Sequence, residues 1–330
     1  MTAATTKTPV AIPAAVRLPA HLLDATVDES ALRRFLAGLP GVDPVGLERR
    51  SAQLATRSLK RETKRGLIDL ALSMVDLTTL EGADTPGKVR NLARKALLPD
   101  PDHPDTPRPA AVCVYPDLAR VAVEELSGSG VRVAAVATAF PSGRSTLAVK
   151  LADTALAVDS GADEVDMVID RGAFLSGRYG VVFEQIQAVK QACGPGARLK
   201  VILETGELGT YDHVRRAAWL ALLAGGDFVK TSTGKVSPAA TLPVTQVLLQ
   251  AVRDWLDQTG EQRGVKPAGG IRTAKDALRH LVAVREVAGP EWLDPHWFRF
   301  GASSVLNDLV RQRRAQAEGH YTGTDHVTLD

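Results

Sequence analysis

Cysteine is scarce in this 330-residue chain: Cys113 and Cys193 are the only two, which rules out a disulfide framework and makes a reducing cytoplasm the expected setting. Aromatic residues make up 5% of the chain, and no long run of like charge carries interleaved aromatics. With a formal net charge of only +2, nucleic acid is not an expected partner, although the scattered arginines leave room for a phosphorylated small molecule. No apolar stretch approaches the roughly 20 residues of a membrane span, so no membrane partner is expected either. The first 23 residues hold Thr, Ala and Pro without a continuous apolar core, which disfavours a secretory signal peptide. Seven histidines are scattered with no His-x-His or His-Glu-x-x-His spacing, so neither a metal nor another cofactor is expected.

What is present is the composition of an ordinary globular protein, 45% hydrophobic and 24% charged, at a length that suits one α/β barrel with an extension. Residues 1–65 read as that extension, with a Pro-rich start and helical spacing over 28–39 and 45–65. Its Arg49, Arg50, Arg57, Arg61 and Arg65 read as a solvated face. From residue 66, strand-like runs near 73–77, 110–115, 131–138, 164–169, 199–203, 227–230, 264–267 and 298–301 alternate with helix-like segments. The helices fall near 85–97, 116–127, 145–160, 181–193, 211–224, 239–258, 273–287 and 302–314. Strict eightfold alternation over 66–314 predicts a (β/α)8 barrel, followed by a flexible tail over 315–330. A doubly wound open sheet would instead bring a glycine fingerprint at its first strand–helix turn, and Asp76-Leu77-Thr78-Thr79-Leu80 has none. Thr85 and Thr273 are placed as helix N-caps and Pro116 at a first helical position.

Function in such a barrel concentrates at the C-terminal strand ends. The polar residues inside the strand-like runs are Asp76 and Thr78, Cys113, Asp166, Lys200 with Glu204, Lys230, and Lys266. Buried charges are costly unless paired, so their recurrence calls for an explanation. Lys230 ends the run Asp227-Phe228-Val229-Lys230 and Lys266 lies on the next strand, so the two are neighbours. Burial disfavours an ammonium, and a second one nearby adds to the effect. Lowering a lysine by about three units, enough for an appreciable neutral fraction at pH 7, takes about 4 kcal/mol. Lys230 then reads as a Schiff-base nucleophile, Lys266 as its electrostatic partner and Asp166 as a proton carrier. A structural Lys–Asp–Lys network, or a strand-end lysine snorkelling to water, is the competing reading. Ala268-Gly269-Gly270-Ile271-Arg272-Thr273 and Gly301-Ala302-Ser303-Ser304 each precede a helix, on the two loops where barrels most often hold phosphate, and Gly234-Lys235 can close the same pocket.

Six segments together carry a resemblance: Met74 to Leu80, Gly161 to Asp166, Lys200 to Leu208, Gly226 to Lys235, Lys266 to Thr273 and Phe300 to Ser304. In this order they resemble the deoxyribose-phosphate aldolase family, and the length resembles its longer branch, which includes the animal enzymes. The resemblance implies metal-free, reversible cleavage of 2-deoxy-D-ribose 5-phosphate to D-glyceraldehyde 3-phosphate and acetaldehyde, in deoxynucleoside catabolism. It makes Lys230, Asp166 and Lys266 catalytic, and Asp76, Thr78, Cys113, Lys200 and Thr233 substrate-binding. It gives the phosphate to Gly234, Lys235, Gly269, Gly270, Arg272, Gly301, Ser303 and Ser304. The partners implied are small phosphorylated sugars and aldehydes, with a homodimer as the expected assembly. Compact bacterial members end in a tail whose terminal tyrosine is thought to assist proton transfer; here Tyr321 is the only tyrosine of the tail, and a tail without a catalytic role is the alternative. Another phosphosugar isomerase or synthase, or a non-catalytic phosphosugar-binding barrel, remain the alternatives for the whole chain.

Overall fold

The computed structural model describes residues 18–318, without the side chains of Arg61 and Glu62; Tyr321 lies outside the described residues. Eight parallel strands form one sheet: β1 Val75–Thr78, β2 Ala111–Val114, β3 Arg132–Ala137, β4 Glu164–Val168, β5 Arg198–Ile202, β6 Phe228–Lys230, β7 Gly264–Lys266 and β8 Phe300–Ala302. β8 pairs with β1, and the bridges Val265–Phe298 and Ala268–Gly301 join the two ends of the sheet into a ring. This is the expected (β/α)8 barrel. Alternation along each strand puts Val75, Leu77, Val165, Met167, Val201 and Val229 against the surrounding helices. Their neighbours Asp76, Cys113, Glu164, Asp166, Lys200, Phe228, Lys230 and Lys266 are buried on the other side, in the lumen.

The helical ring comprises α4 Arg61–Ser73, α5 Pro86–Leu97, α6 Pro116–Leu126, α7 Leu147–Asp159, α9 Tyr179–Cys193, α10 Tyr211–Leu223, α11 Leu242–Thr259, α12 Ala274–Val287 and α13 Ser304–Glu318, with a short α8 Arg171–Leu175 ahead of α9. Threonine caps five of them. The Thr85 and Thr273 side chains accept from Lys88 N and Asp276 N as expected, the latter within a capping box, and Thr146, Thr210 and Thr241 act alike. Pro116 stands at the first position of α6.

Ahead of the ring lie α1 Ala20–Asp24, α2 Glu29–Gly38 and α3 Pro44–Ala55. The single helix expected over 45–65 is two helices, α3 and α4. The Thr56 hydroxyl bonds the Gln53 carbonyl at 2.8 Å and its N–H the same oxygen, which closes α3. α4 passes through residue 65 without a break and buries Ile68, Ala71 and Leu72 in the common core, and Ser73, expected to open β1, is its last residue. At the other end α13 keeps residues 315–318 helical, because Arg313 is held by Asp69 and Asp105 and Arg314 by Asp100 and Asp102. Leu32 and Leu36 of α2 pack toward α9 and α10, where Phe35 meets Trp219 edge-on at 5.7 Å. Leu47 and Leu54 of α3 join the core beside α11 and α12, while Arg49, Arg50, Arg57 and Arg65 stay exposed.

Because Leu36 is fully buried in the interface between extension and ring, Leu36→Ala is expected to cost about 3 kcal/mol of global stability in urea denaturation. A loss below about 0.5 kcal/mol would separate α2 from the cooperative unit.

Candidate active site

Lys230 ends β6, Lys266 ends β7, and the two are register partners. Across the lumen Asp166 pairs in register with Lys200 of β5. The Asp166 carboxylate collects all three amines: Oδ2 lies 2.7 Å from Lys230 Nζ and 2.8 Å from Lys266 Nζ, and Oδ1 3.1 Å from Lys200 Nζ. Below it, Asp76 Oδ2 lies 2.5 Å from Lys266 Nζ and Asp76 Oδ1 2.7 Å from an Arg299 amino group. Glu164 takes the other Arg299 amino group at 2.9 Å, Arg132 at 3.1 Å and the Lys200 amine. Each of these groups except Arg132 is at most 3% exposed.

Burial acts most strongly on Asp76, Glu164, Asp166, Lys230, Lys266 and Arg299, but it does not decide every one. For Asp166 it would raise the carboxyl, yet Lys200, Lys230 and Lys266 together hold it well below the ordinary carboxylate range. The same contest, won by Lys266 and Arg299 at Asp76 and by Arg299 and Lys200 at Glu164, keeps those carboxyls low too. Lys266 is raised above an ordinary lysine because Asp166 and Asp76 outweigh its burial. Lys230 goes the other way. Its burial is supported by the Lys266 charge and opposed by Asp166, and the balance lowers it. Cys113 is pushed up by burial and stays a thiol.

A cleft of about 270 Å³ opens over Lys230 at the C-terminal ends of β1, β6, β7 and β8. It is lined by Thr78, Thr233 and all eight residues expected around a phosphate: Gly234, Lys235, Gly269, Gly270, Arg272, Gly301, Ser303 and Ser304. Gly234 and Gly269 have φ of +83° and +78°, and a Cβ on Gly269 would stand 3.0 Å from Gly234 Cα and 2.7 Å from Ala239 Cβ. Only glycine lets these two loops approach so closely. Lys235 reaches across it to Glu81 at 2.7 Å, and Arg272 is exposed at the rim. Asp76, Cys113 and Lys200, expected to bind substrate, are fully buried beneath the cleft and do not line it. A larger groove of about 640 Å³ between α3, α12 and α13 holds none of the expected residues.

Glu164 and Arg299 were not expected in the site. Each carries the signal that picked out Lys230, a charge inside an apolar strand, with Arg299 between Phe298 and Phe300. Glu204 also has a part: at φ +52° just past β5, its carboxylate accepts the Thr233 hydroxyl at 2.5 Å and faces Arg171 at 3.4 Å, holding the loop after β6. Among the described residues no group of three or more His, Cys, Asp and Glu side chains is arranged to hold a metal ion.

Comparison with known proteins gives this arrangement relatives. The pattern of the DeoC/LacD family aldolases matches residues 70–310. The deoxyribose-phosphate aldolase of Homo sapiens is 41% identical over 92% of this chain and 97% of its own length. That of Mus musculus is 43% identical over 85% and 91%. In structure, the tetrameric deoxyribose phosphate aldolase of Aeropyrum pernix superposes with a TM-score of 0.60 at 26% identity, covering 80% of this chain and 97% of that one. With a family match over most of the barrel and relatives above 40% identity along nearly the whole length, the chain belongs to the DeoC/LacD family of aldolases.

Proposed function

We propose that this class I aldolase reversibly cleaves 2-deoxy-D-ribose 5-phosphate to D-glyceraldehyde 3-phosphate and acetaldehyde through an imine on Lys230. The observation that carries the reading is the asymmetry of the lysine pair: Lys230, under the cleft, is lowered in pKa, while Lys266 beside it is raised. The amine of Lys230 adds to C1 of the open-chain sugar and water leaves, giving a protonated imine. Asp166, ionised at neutral pH, takes the C3 hydroxyl proton through a water molecule. The C2–C3 bond then breaks, its electron pair moves into the imine to form an enamine, and glyceraldehyde 3-phosphate departs. Return of a proton to C2 and hydrolysis release acetaldehyde and restore the amine. Lys266 remains an ammonium throughout, favouring the neutral form of Lys230 and holding Asp166 in place.

Thr78 and Thr233 face the sugar, and the glycine loops with Lys235, Arg272, Ser303 and Ser304 take the phosphate at the N-terminal ends of α12 and α13. Asp76 and Lys200 brace the catalytic trio from beneath, and Cys113 supplies a small neutral wall. The proposed form is a cytoplasmic homodimer acting in deoxynucleoside catabolism. Sedimentation should give twice the chain mass of 35.1 kDa, and a monomer or a tetramer, as in the Aeropyrum pernix relative, would correct it.

Borohydride reduction with acetaldehyde or deoxyribose 5-phosphate, followed by peptide mass mapping, should place a stable adduct on Lys230 that is lost in Lys230→Arg. Turnover without any adduct would remove the imine, and neither adduct nor turnover would favour a phosphosugar-binding barrel. For the phosphate site, Lys235→Met is expected to raise KM for deoxyribose 5-phosphate by about tenfold or more while leaving kcat/KM for unphosphorylated deoxyribose unchanged. An equal loss on both sugars would mean that Lys235 does not read the phosphate.

A further inference from the structure

The lumen holds more ionised groups than three-residue imine chemistry needs. On the cationic side are Lys200, Lys230, Lys266 and Arg299, and on the anionic side Asp76, Glu164 and Asp166, all nearly or fully buried. Uncompensated charge in such a place is costly, so four cations against three carboxylates leave one proton too many. The surrounding elements do not repair the imbalance. Cys113 on β2 is a neutral thiol. Arg132 on β3 and Arg198 on β5 sit at the barrel floor and bring no counter-charge: water screens Arg132, at 30% side-chain exposure, while Arg198, stacked over Phe228 and Trp297, is a further cation that burial pulls down to about 10.

Arg299 is the member farthest along the chain of contacts from the cleft. It grips two carboxylates at once, Asp76 at 2.7 Å and Glu164 at 2.9 Å. From each a path runs to the same oxygen pair. One goes from Asp76 to Lys266 at 2.5 Å and on to Asp166 at 2.8 Å; the other goes from Glu164 to Lys200 and on to Asp166 at 3.1 Å. Asp166 then meets Lys230 at 2.7 Å. By sharing Asp76 and Glu164 from below, Arg299 weakens their hold on Lys266 and Lys200, each of which also bonds Asp166, and so divides that carboxylate among three amines.

We propose that Arg299 and Glu164 are positioning residues for the lysine site: Arg299 is the buried cation that makes Lys230 the group left short of counter-charge, and Glu164 opposes it. The proposal rests on Lys230 being the imine lysine. It assigns opposite signs to two residues that touch no substrate. Without Arg299 the lumen has three cations and three carboxylates. Lys200 and Lys266 turn toward Asp76 and Glu164, and Asp166 is left to hold Lys230 as an ammonium. Without the Glu164 charge the excess grows and Lys230 gives up its proton more readily.

The experiment follows the initial rate of borohydride trapping of acetaldehyde on Lys230 against pH, in wild type, Arg299→Met, Glu164→Gln and Arg299→Lys. Arg299→Met should move the half-maximal pH upward by about one unit, Glu164→Gln should move it downward by a similar amount, and Arg299→Lys should restore the wild-type midpoint. A simple loss of structure lowers the amplitude without moving midpoints in opposite directions. If wild type traps on Lys230 while Glu164→Gln and Arg299→Met share a direction, or neither midpoint moves, the proposal fails. Should Arg299→Met not fold, an unmoved or upward midpoint in Glu164→Gln overturns it alone. Absence of any wild-type adduct would instead defeat the imine reading on which it rests.

Discussion

A buried carboxylate shared by three amines in the barrel lumen is the constraint on which the rest of this structure depends. Parallel barrels ordinarily fill their interior with branched apolar side chains, and strand periodicity makes that easy. Here the lumen-facing positions of β1, β4, β5, β6 and β7 carry Asp76, Glu164, Asp166, Lys200, Lys230 and Lys266. Such pairs return little net stability, because desolvation consumes most of their attraction. Stability therefore has to come from the other face of the same strands, where Val, Leu and Met pack against the helices, and from the added layer of α2 and α3. That outer layer adds apolar contacts to a ring whose inner layer is given over to charge.

The same division runs along the barrel axis. At the floor Phe228 fills the lumen, with the Arg198 guanidinium 4.6 Å and the Lys200 amine 5.8 Å from its ring. In the middle lies the ionic ladder, and above it the glycine loops of β6, β7 and β8 line the cleft. Anchoring is asymmetric as well. Glu204 holds Thr233, and Arg171 ties Glu204 and Glu207 to the carbonyl of Ser142, so the loops after β3 to β6 are joined into one rim. A proposed phosphate site facing that rim places a substrate's far end while the ladder acts on its near end.

Much of this was legible in the sequence because period-two alternation and buried charge are local signals. All eight strands fell within two residues of their expected bounds, and Lys230, Asp166 and Lys266 stood out as charges in apolar runs. What escaped was whatever depends on distant partners. Arg299 bears the same local signal, but its meaning comes from Asp76 and Glu164, which are 223 and 135 positions away. The break between α3 and α4 escaped because no proline or glycine marks it, only the Thr56 side chain competing for a helical carbonyl. The extra turn of α13 rests on arginine pairs reaching residues some 210 positions back, which no window along the chain contains. The depth of Asp76, Cys113 and Lys200 below the cleft is a matter of barrel radius and is equally invisible in one dimension.

The choice between two chemically identical lysines shows why that long-range information decides function. Lys266 is fully buried and Lys230 is 3% exposed, so desolvation by itself would make Lys266 the neutral amine. The counter-charges reverse the order. Lys266 has Asp166 and Asp76 within 2.8 Å, whereas among the described residues Lys230 has only Asp166, which Lys266 and Lys200 also draw upon. Lys266, with two carboxylates, is thereby raised and Lys230, with a share of one, is lowered, which is what the proposed nucleophile requires. It is also the one of the pair that lines the cleft. Position at the end of β6 gives Lys230 access, but it is Asp76, held in place by Arg299 on the far side of the lumen, that keeps Lys266 from competing for the role.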